Sequence, residues 1–366
     1  MYHVGATTAK EMIPSLVLLA ALYACWTPPA RGAVSRMIVY SSRVYKLKGK
    51  SYQELTGIRL PGMHRSVLSS TPRHHEQPLY SSDARQIAFV SGSDMDAVGN
   101  ELWLRQARTG QERLLYRAPE MSSIDLVGWA PRAAGLYLVI SGKSNRVCRY
   151  ELPARKLVPI AGGCRAALSR DGRLLAYETC TDDFRQERDA YLYDAAAGKS
   201  RPLGKGSASS WSPDGRKIAM ADRATRQLRI LDAKTAAVII TAALPEHPEH
   251  WNYATSTAWS PDGKSILVGS EAGSSTAHYE DYWLLTIADK TWKYLEGGNG
   301  ARWSPAGDSV VYSTPRDLAP LEKRQVWVSH LVLMDIRTGA KRPLTSGLSY
   351  DFSPVWFTPK LARNQR

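Results

Sequence analysis

The strongest constraint on this chain of 366 residues is a short unit that returns at a near-constant interval. Its clearest copies are Trp211-Ser-Pro-Asp-Gly-Arg-Lys-Ile-Ala-Met220, Trp259-Ser-Pro-Asp-Gly-Lys-Ser-Ile-Leu-Val268 and Trp303-Ser-Pro-Ala-Gly-Asp-Ser-Val-Val-Tyr312. Leu168-Ser-Arg-Asp-Gly-Arg-Leu-Leu-Ala-Tyr177 and Tyr80-Ser-Ser-Asp-Ala-Arg-Gln-Ile-Ala-Phe89 are weaker copies. Trp129-Ala-Pro-Arg132 is degenerate and Trp356-Phe-Thr-Pro359 is truncated. The leading aromatic or leucine falls at positions 80, 129, 168, 211, 259, 303 and 356, an average spacing of 46 residues. A period of this size marks a repeat architecture, in which each unit buries its faces against its neighbours.

Chemically the unit is a turn. Ser first, Pro second and Gly fourth favour a type I turn. Proline presets φ, the Asp side chain bonds its own following backbone, and glycine accepts positive φ. A β-prone run follows, then a strand such as Gln227-Leu-Arg-Ile-Leu231, a turn at Asp232-Ala-Lys-Thr235, and a strand Ala237-Val-Ile-Ile240. Four strands per repeat predicts an all-β chain, a β-propeller of four-stranded blades with the tryptophans filling between blades. A hydrophobic content of 43% supports a packed core and excludes wholesale disorder. Trp 11 and Tyr 18 against Phe 4 suit half-buried pleated surfaces.

The Trp-Ser-Pro-Asp-Gly units resemble the repeat of the TolB-like propeller family, over about residues 37–359. Similar repeats form the propellers of prolyl oligopeptidases and dipeptidyl peptidases. The resemblance implies an exported, non-enzymatic module that binds protein or peptide partners at a bacterial cell envelope.

The anchors number seven, which predicts seven blades; a six-bladed ring with an N-terminal appendage is the alternative. After Phe352-Ser-Pro-Val-Trp356 the chain nearly ends. Met37-Ile-Val-Tyr40, Val44-Tyr-Lys-Leu47 and Ser51-Tyr-Gln-Glu-Leu-Thr56 then supply the strands missing from the last blade, with a hairpin turn at Lys48-Gly-Lys50. Closing the ring this way removes exposed edges.

Lys10 followed by the apolar run Ile13–Cys25 has the pattern of a secretory signal peptide, so residues 1–24 are read as a signal and 25–36 as a linker. Leu22-Tyr23-Ala24-Cys25 resembles a lipobox, which makes Cys25 a candidate lipid anchor. Cleavage as late as residue 33 is the alternative. The expected location is the periplasm, as a soluble protein or a membrane-anchored lipoprotein. Export places Cys148, Cys164 and Cys180 in an oxidising compartment. Cys164 and Cys180 flank the turn near Asp171 symmetrically, which makes them a candidate disulfide.

The formal charge of +14 is concentrated at the chain ends. Residues 31–75 hold nine Lys/Arg against Glu54, and the tail 360–366 adds Lys360, Arg363 and Arg366. Ring closure brings these ends into one blade, predicting a basic patch of Arg43, Lys46, Lys48 and Lys50 suited to an anionic membrane surface. Export argues against nucleic acid as a partner.

Long connections between the second and third strands of a blade, and between blades, fall on one face. Function rides on such loops. The richest is Pro245-Glu-His-Pro-Glu-His-Trp-Asn-Tyr253. His247, His250, Trp251, Tyr253, His278 and Tyr279 are therefore the candidate partner-binding residues, with Trp and Tyr as interface anchors. The three histidines also raise a metal site, but a solvated loop accounts for them as well, so no metal and no cofactor is assigned. The run Asp94–Glu101 lacks the register of a calcium loop. No nucleophile elbow, P-loop or dinucleotide fingerprint occurs, and only seven residues follow position 359, too few for a hydrolase domain. No catalytic residue is assigned, and the expected state is a monomer. The alternative is a carbohydrate-active lyase or hydrolase with its site at the channel mouth.

Overall fold

In a computed structural model of the chain, the described residues are 36–46, 51–69, 74–92, 99–181, 188–246, 254–274, 277–321 and 324–357. They form antiparallel β-sheets, and no helix among them is long and apolar enough to cross a membrane.

In chain order the strands are β1 (Arg36–Val44), β2 (Tyr52–Leu60), β3 (His64–Ser69), β4 (His74–Tyr80), β5 (Gln86–Gly92), β6 (Glu101–Gln106) and β7 (Glu112–Arg117). Next come β8 (Ser123–Trp129), β9 (Gly135–Ser141), β10 (Arg146–Glu151), β11 (Lys156–Gly162), β12 (Arg165–Leu168), β13 (Leu174–Glu178), β14 (Asp189–Asp194) and β15 (Lys199–Lys205). Then follow β16 (Ser207–Trp211), β17 (Lys217–Asp222), β18 (Gln227–Asp232), β19 (Val238–Ala243), β20 (Ala254–Trp259), β21 (Ser265–Ser274), β22 (Ala277–Thr286) and β23 (Thr291–Trp303). The last are β24 (Ser309–Ser313), β25 (Asp317–Leu321), β26 (Arg324–Val328), β27 (Leu331–Asp335), β28 (Lys341–Pro343) and β29 (Ser349–Phe357).

β4–β7, β8–β11, β12–β15 and β16–β19 are sheets of four consecutive strands. A seven-stranded sheet runs β20-β21-β22-β23-β24-β27-β28, because β23 is long enough to serve twice. Its first part pairs with β22, and Asn299 to Trp303 pair with β24. The remaining four-stranded sheet is β29-β1-β2-β3, one C-terminal strand with three N-terminal ones. Ser42 Oγ donates to the buried Asp351 carboxylate across that junction.

The repeated turn has one hydrogen-bond plan. Ser81, Ser169, Ser212 and Ser260 each donate Oγ–H to the aspartate two positions on, at 2.6–2.7 Å. The same aspartate accepts a backbone N–H from the residue two further on, and the serine Oγ accepts the next one. The copy Trp303-Ser-Pro-Ala-Gly-Asp has alanine where the acid should be. Asp308 takes over: its carboxylate accepts from Ser304 Oγ at 2.6 Å and also binds the Arg36 guanidinium at 3.1 Å. Position four of the turn needs positive φ, which glycine supplies at Gly172, Gly215, Gly263 and Gly307. Ala84 holds it at φ 63 without that freedom.

The tryptophans tie each sheet to its predecessor. The indoles of Trp129, Trp211, Trp303 and Trp356 donate to the backbone carbonyls of Leu79, Ala167, Ala258 and Arg302 at 2.9–3.2 Å. Trp259 is buried and its Nε1 has no such acceptor. The core lies in layers between neighbouring sheets rather than in one centre. One layer joins Ala219, Leu228 and Ile230 to Trp259, Ile266 and Leu285; another joins Tyr137 and Val139 to Leu175 and Tyr177. The seam next to the closing sheet stacks Tyr80 on Phe357, with ring centroids 3.8 Å apart.

Candidate binding face and central cavity

The repeated turns gather at one end of the sheets. At the other end β5, β9, β13, β21 and β24 come to their last residues. The connection after β24 is more than a loop. It folds into the hairpin β25–β26, with Leu318 opposite Trp327. Residues alternate along both strands: Leu321, Val326 and Val328 are buried with Tyr45 and Ala319 against them, while Leu318 and Trp327 face outward. Arg316 sits over the Trp327 ring at 4.8 Å, a cation–π arrangement. Tyr45 donates its hydroxyl to the Trp327 carbonyl, and Asp351 N–H donates to the Ser329 carbonyl, so the hairpin is fastened to the closing sheet. Burial pushes the Tyr45 hydroxyl up from its ordinary range, so it remains a donor.

Sequence reading placed a long connection here and missed the hairpin. The signal was present as the alternation of Gln325-Val-Trp-Val328.

The innermost strands line a central cavity of about 940 Å³. Its wall carries Arg165, Arg170 and Arg302 against Asp125 and Glu178. Both acids are engaged: Asp125 accepts from Gln77 at 2.9 Å, and Glu178 from Ser209 N–H and from Arg188. Arg165 and Arg302 donate only to backbone carbonyls, those of Thr255 and Ala301. Among the described residues the cavity wall thus carries three guanidinium groups against two carboxylates, and each carboxylate is held by protein donors. Among the described residues no group of three or more His, Cys, Asp or Glu side chains is placed to hold a metal ion.

The sequence candidates divide. His247, His250, Trp251 and Tyr253 lie outside the described residues, as do Cys25, Lys48 and Lys50. The His278 backbone belongs to β22, in register with Gly273. Tyr279 is partly buried, its ring against Gly297, where an added Cβ would come within 2.7 Å of it. Next to it Glu280 accepts from Thr255 and Tyr282, and Asp281 is buried and accepts from Tyr294. The Tyr294 hydroxyl is pushed up to about 12 by burial and by that acid. Cys164 and Cys180 are joined as a disulfide, with Cα atoms 5.2 Å apart, and Cys148 is buried and free. Of the basic group, Arg43 and Lys46 sit at the far end of β1 from Arg36, whose charge is taken by Asp308.

Comparison with family models and with curated proteins returns no match. Solved structures do match. A prolyl endopeptidase is 14% identical, with a TM-score of 0.58, over 93% of this chain and 54% of that one. The oligogalacturonate lyase of Vibrio parahaemolyticus is 12% identical, TM-score 0.55, over 79% of this chain and 85% of that one. The fold is a β-propeller. TolB from Acinetobacter baumannii is also among its likenesses, at 15% identity and TM-score 0.49 over 87% and 82% of the two chains. At these identities the likeness is one of fold alone.

Proposed function

We propose that this chain is a non-catalytic propeller that docks a protein partner on the face opposite its repeated turns, exported through its N-terminal segment. The observation that carries the reading is the inserted hairpin. It adds exposed Leu318 and Trp327, at 44% and 37%, to that face, with a guanidinium stacked on the indole. Tryptophan and arginine are the side chains that most often dominate protein interfaces. Nothing in the blade plan requires a hairpin there, and its buried side serves only to fix the exposed one.

A ring of seven blades fits the sheets. The inner strands are then β29, β4, β8, β12, β16, β20 and the second part of β23. The closing blade is β29-β1-β2-β3, as the anchor spacing anticipates. This supports seven over six and the reading of residues 37–359 as one propeller domain.

The test is capture from chemically crosslinked envelopes, comparing the wild-type chain with the variant Leu318→Ser, Trp327→Ala. Both positions are exposed, so the variant should fold. The expected result is a reproducible partner set that the variant loses. Identical capture by both proteins would remove the hairpin from the interface.

A second reading rests on the cavity. Its excess of arginine suits an acidic saccharide, and one structural likeness is an oligogalacturonate lyase. Galacturonate oligomers incubated with the protein, followed by absorbance of unsaturated product, decide it. Any turnover abolished by Arg165→Ala would replace the non-catalytic reading.

A further inference from the structure

Between the sheets β12–β15 and β16–β19, at the end where the repeated turns gather, lies a second cavity of about 760 Å³. A small residue leaves it open. Ala233 follows β18 and donates its backbone N–H to the carbonyl of Arg216, at the exit of the repeated turn. Ile287 and Ile336 make the same bond in the next two repeats, to Lys264 and Asp308. Their side chains pack into the layer against the preceding sheet. Alanine at this place leaves unfilled the volume that isoleucine takes in those seams. The facing wall does not compensate, because the turn Asp194-Ala-Ala-Ala-Gly198 presents only Ala197. On the other lip, a Cβ added at Gly215 would meet nothing within 4 Å.

The floor is apolar and the rim is cationic. Leu174, Leu192 and Ala233 form the floor, the last two buried. Lys199, Arg216 and Lys234 stand exposed around the opening, on three separate segments. Among the described residues none of these three side chains is in an ion pair. The carboxylates beside them are taken by their own turns. Asp194 accepts from the N–H groups of Ala196 and Ala197, and Asp232 from those of Lys234 and Thr235 and from the Thr235 hydroxyl. Arg201 reaches across the seam and donates to the Ala233 carbonyl, which fixes one wall to the other.

We propose that this cavity binds a free organic anion with an apolar body, of the fatty-carboxylate kind, its chain on the leucine floor and its acid group among Lys199, Arg216 and Lys234. Small-molecule sites have this composition: a mostly apolar, preformed concavity of about 300–1,000 Å³ with a few convergent polar groups. A neutral ligand would make no use of the cations, and an inorganic anion would not cover the floor. The site lies at the opposite end of the sheets from the β25–β26 hairpin, so it stands or falls apart from partner docking there.

Isothermal titration of the purified full chain with decanoate, kept below its micelle concentration, tests this. The expected result is one saturable site per chain with a dissociation constant on the order of 100 µM. Decanol, which has the chain without the charge, should show no saturable binding up to its solubility limit. Ala233→Ile installs the residue of the two later seams and should bind decanoate at least about tenfold more weakly, with an unchanged circular dichroism spectrum. Lys199→Glu with Lys234→Glu, both at exposed positions, should weaken it as much, whereas Lys156→Glu on β11 should leave it unchanged. The charge-reversed pair keeps the proposal falsifiable if Ala233→Ile fails to fold. No saturable site for decanoate overturns the proposal. So does a site that decanol fills equally well, or one indifferent to Ala233→Ile in a folded chain or to the charge reversal.

Discussion

Asp308 does the work of two residues, and removing it should cost accordingly. Its carboxylate accepts from Ser304 Oγ at 2.6 Å, from Ser309 Oγ at 2.8 Å and from Arg36 at 3.1 Å. Burial alone would raise its pKa, but the two hydroxyls and the guanidinium outweigh burial and hold it below the usual carboxylate range. Ser304 is fully buried, so losing its charged acceptor costs about 1–2 kcal/mol. The partly exposed Arg36 pair adds up to about 1 kcal/mol, and Ser309 about 0.5–1 kcal/mol. Asp308→Ala should therefore destabilise by about 1.5–4 kcal/mol, more than Asp262→Ala, whose carboxylate holds Ser260 and one backbone N–H. Ala306→Asp restores the acid to the position it occupies in the sister turns. On its own it should change stability by less than about 0.5 kcal/mol, because Ser304 is already satisfied. In the Asp308→Ala background it should recover the Ser304 share and leave the Arg36 share lost. Urea midpoints of the four proteins at a common slope measure this cycle. The turn plan is refuted if Asp308→Ala costs under about 0.5 kcal/mol, or if Ala306→Asp recovers nothing in that background.

Three further outcomes follow from the same geometry. The Ser81 and Arg85 bonds hold Asp83 below its ordinary pKa, and matching bonds do the same for Asp214 and Asp262. A depressed native pKa gives stability that is complete above the unfolded value near 4 and fades as pH falls through the native one, so asparagine at all three should flatten the acid limb of a pH–stability profile. Ala84→Gly relieves a left-handed alanine and should raise the urea midpoint by about 1 kcal/mol of stability, whereas Gly263→Ala should lower it. Trp259→Phe removes a buried donor with no acceptor and should cost about 1 kcal/mol less in urea unfolding than Trp211→Phe, which orphans the Ala167 carbonyl.

Much of the architecture was legible because the repeat writes its own hydrogen bonds. Serine, aspartate and glycine at fixed offsets specify a turn without reference to the rest of the chain, and four of the anchor tryptophans, 129, 211, 303 and 356, reach a carbonyl one repeat earlier. The failures are where distant residues decide. The role of Asp308 was hidden because the acid that replaces the one missing at Ala306 stands two places later and answers to Arg36, 272 positions away. The passage from β22 through β23 to β24 has no loop to announce a new sheet, since one strand serves both. The hairpin at Asp317–Val328 read as a loop because half its alternation is an outward Trp and Leu with no core to face. Of the basic patch expected at Arg43, Lys46, Lys48 and Lys50, the last two lie outside the described residues. β1 carries Arg36 at one end and Arg43 at the other, beside different neighbours.

The junction of β29 with β1 sets an order in time. Ser42 in β1 and Asp351 in β29 stand 309 positions apart, and β1, with β2 and β3 beyond it, gains its innermost neighbour only from β29. Until then Ile38, Val39 and Tyr40, all fully buried in the finished ring, have one flank open. The contact that completes this sheet is thus among the most non-local in the fold, the kind whose loop-closure cost makes it a late event in folding.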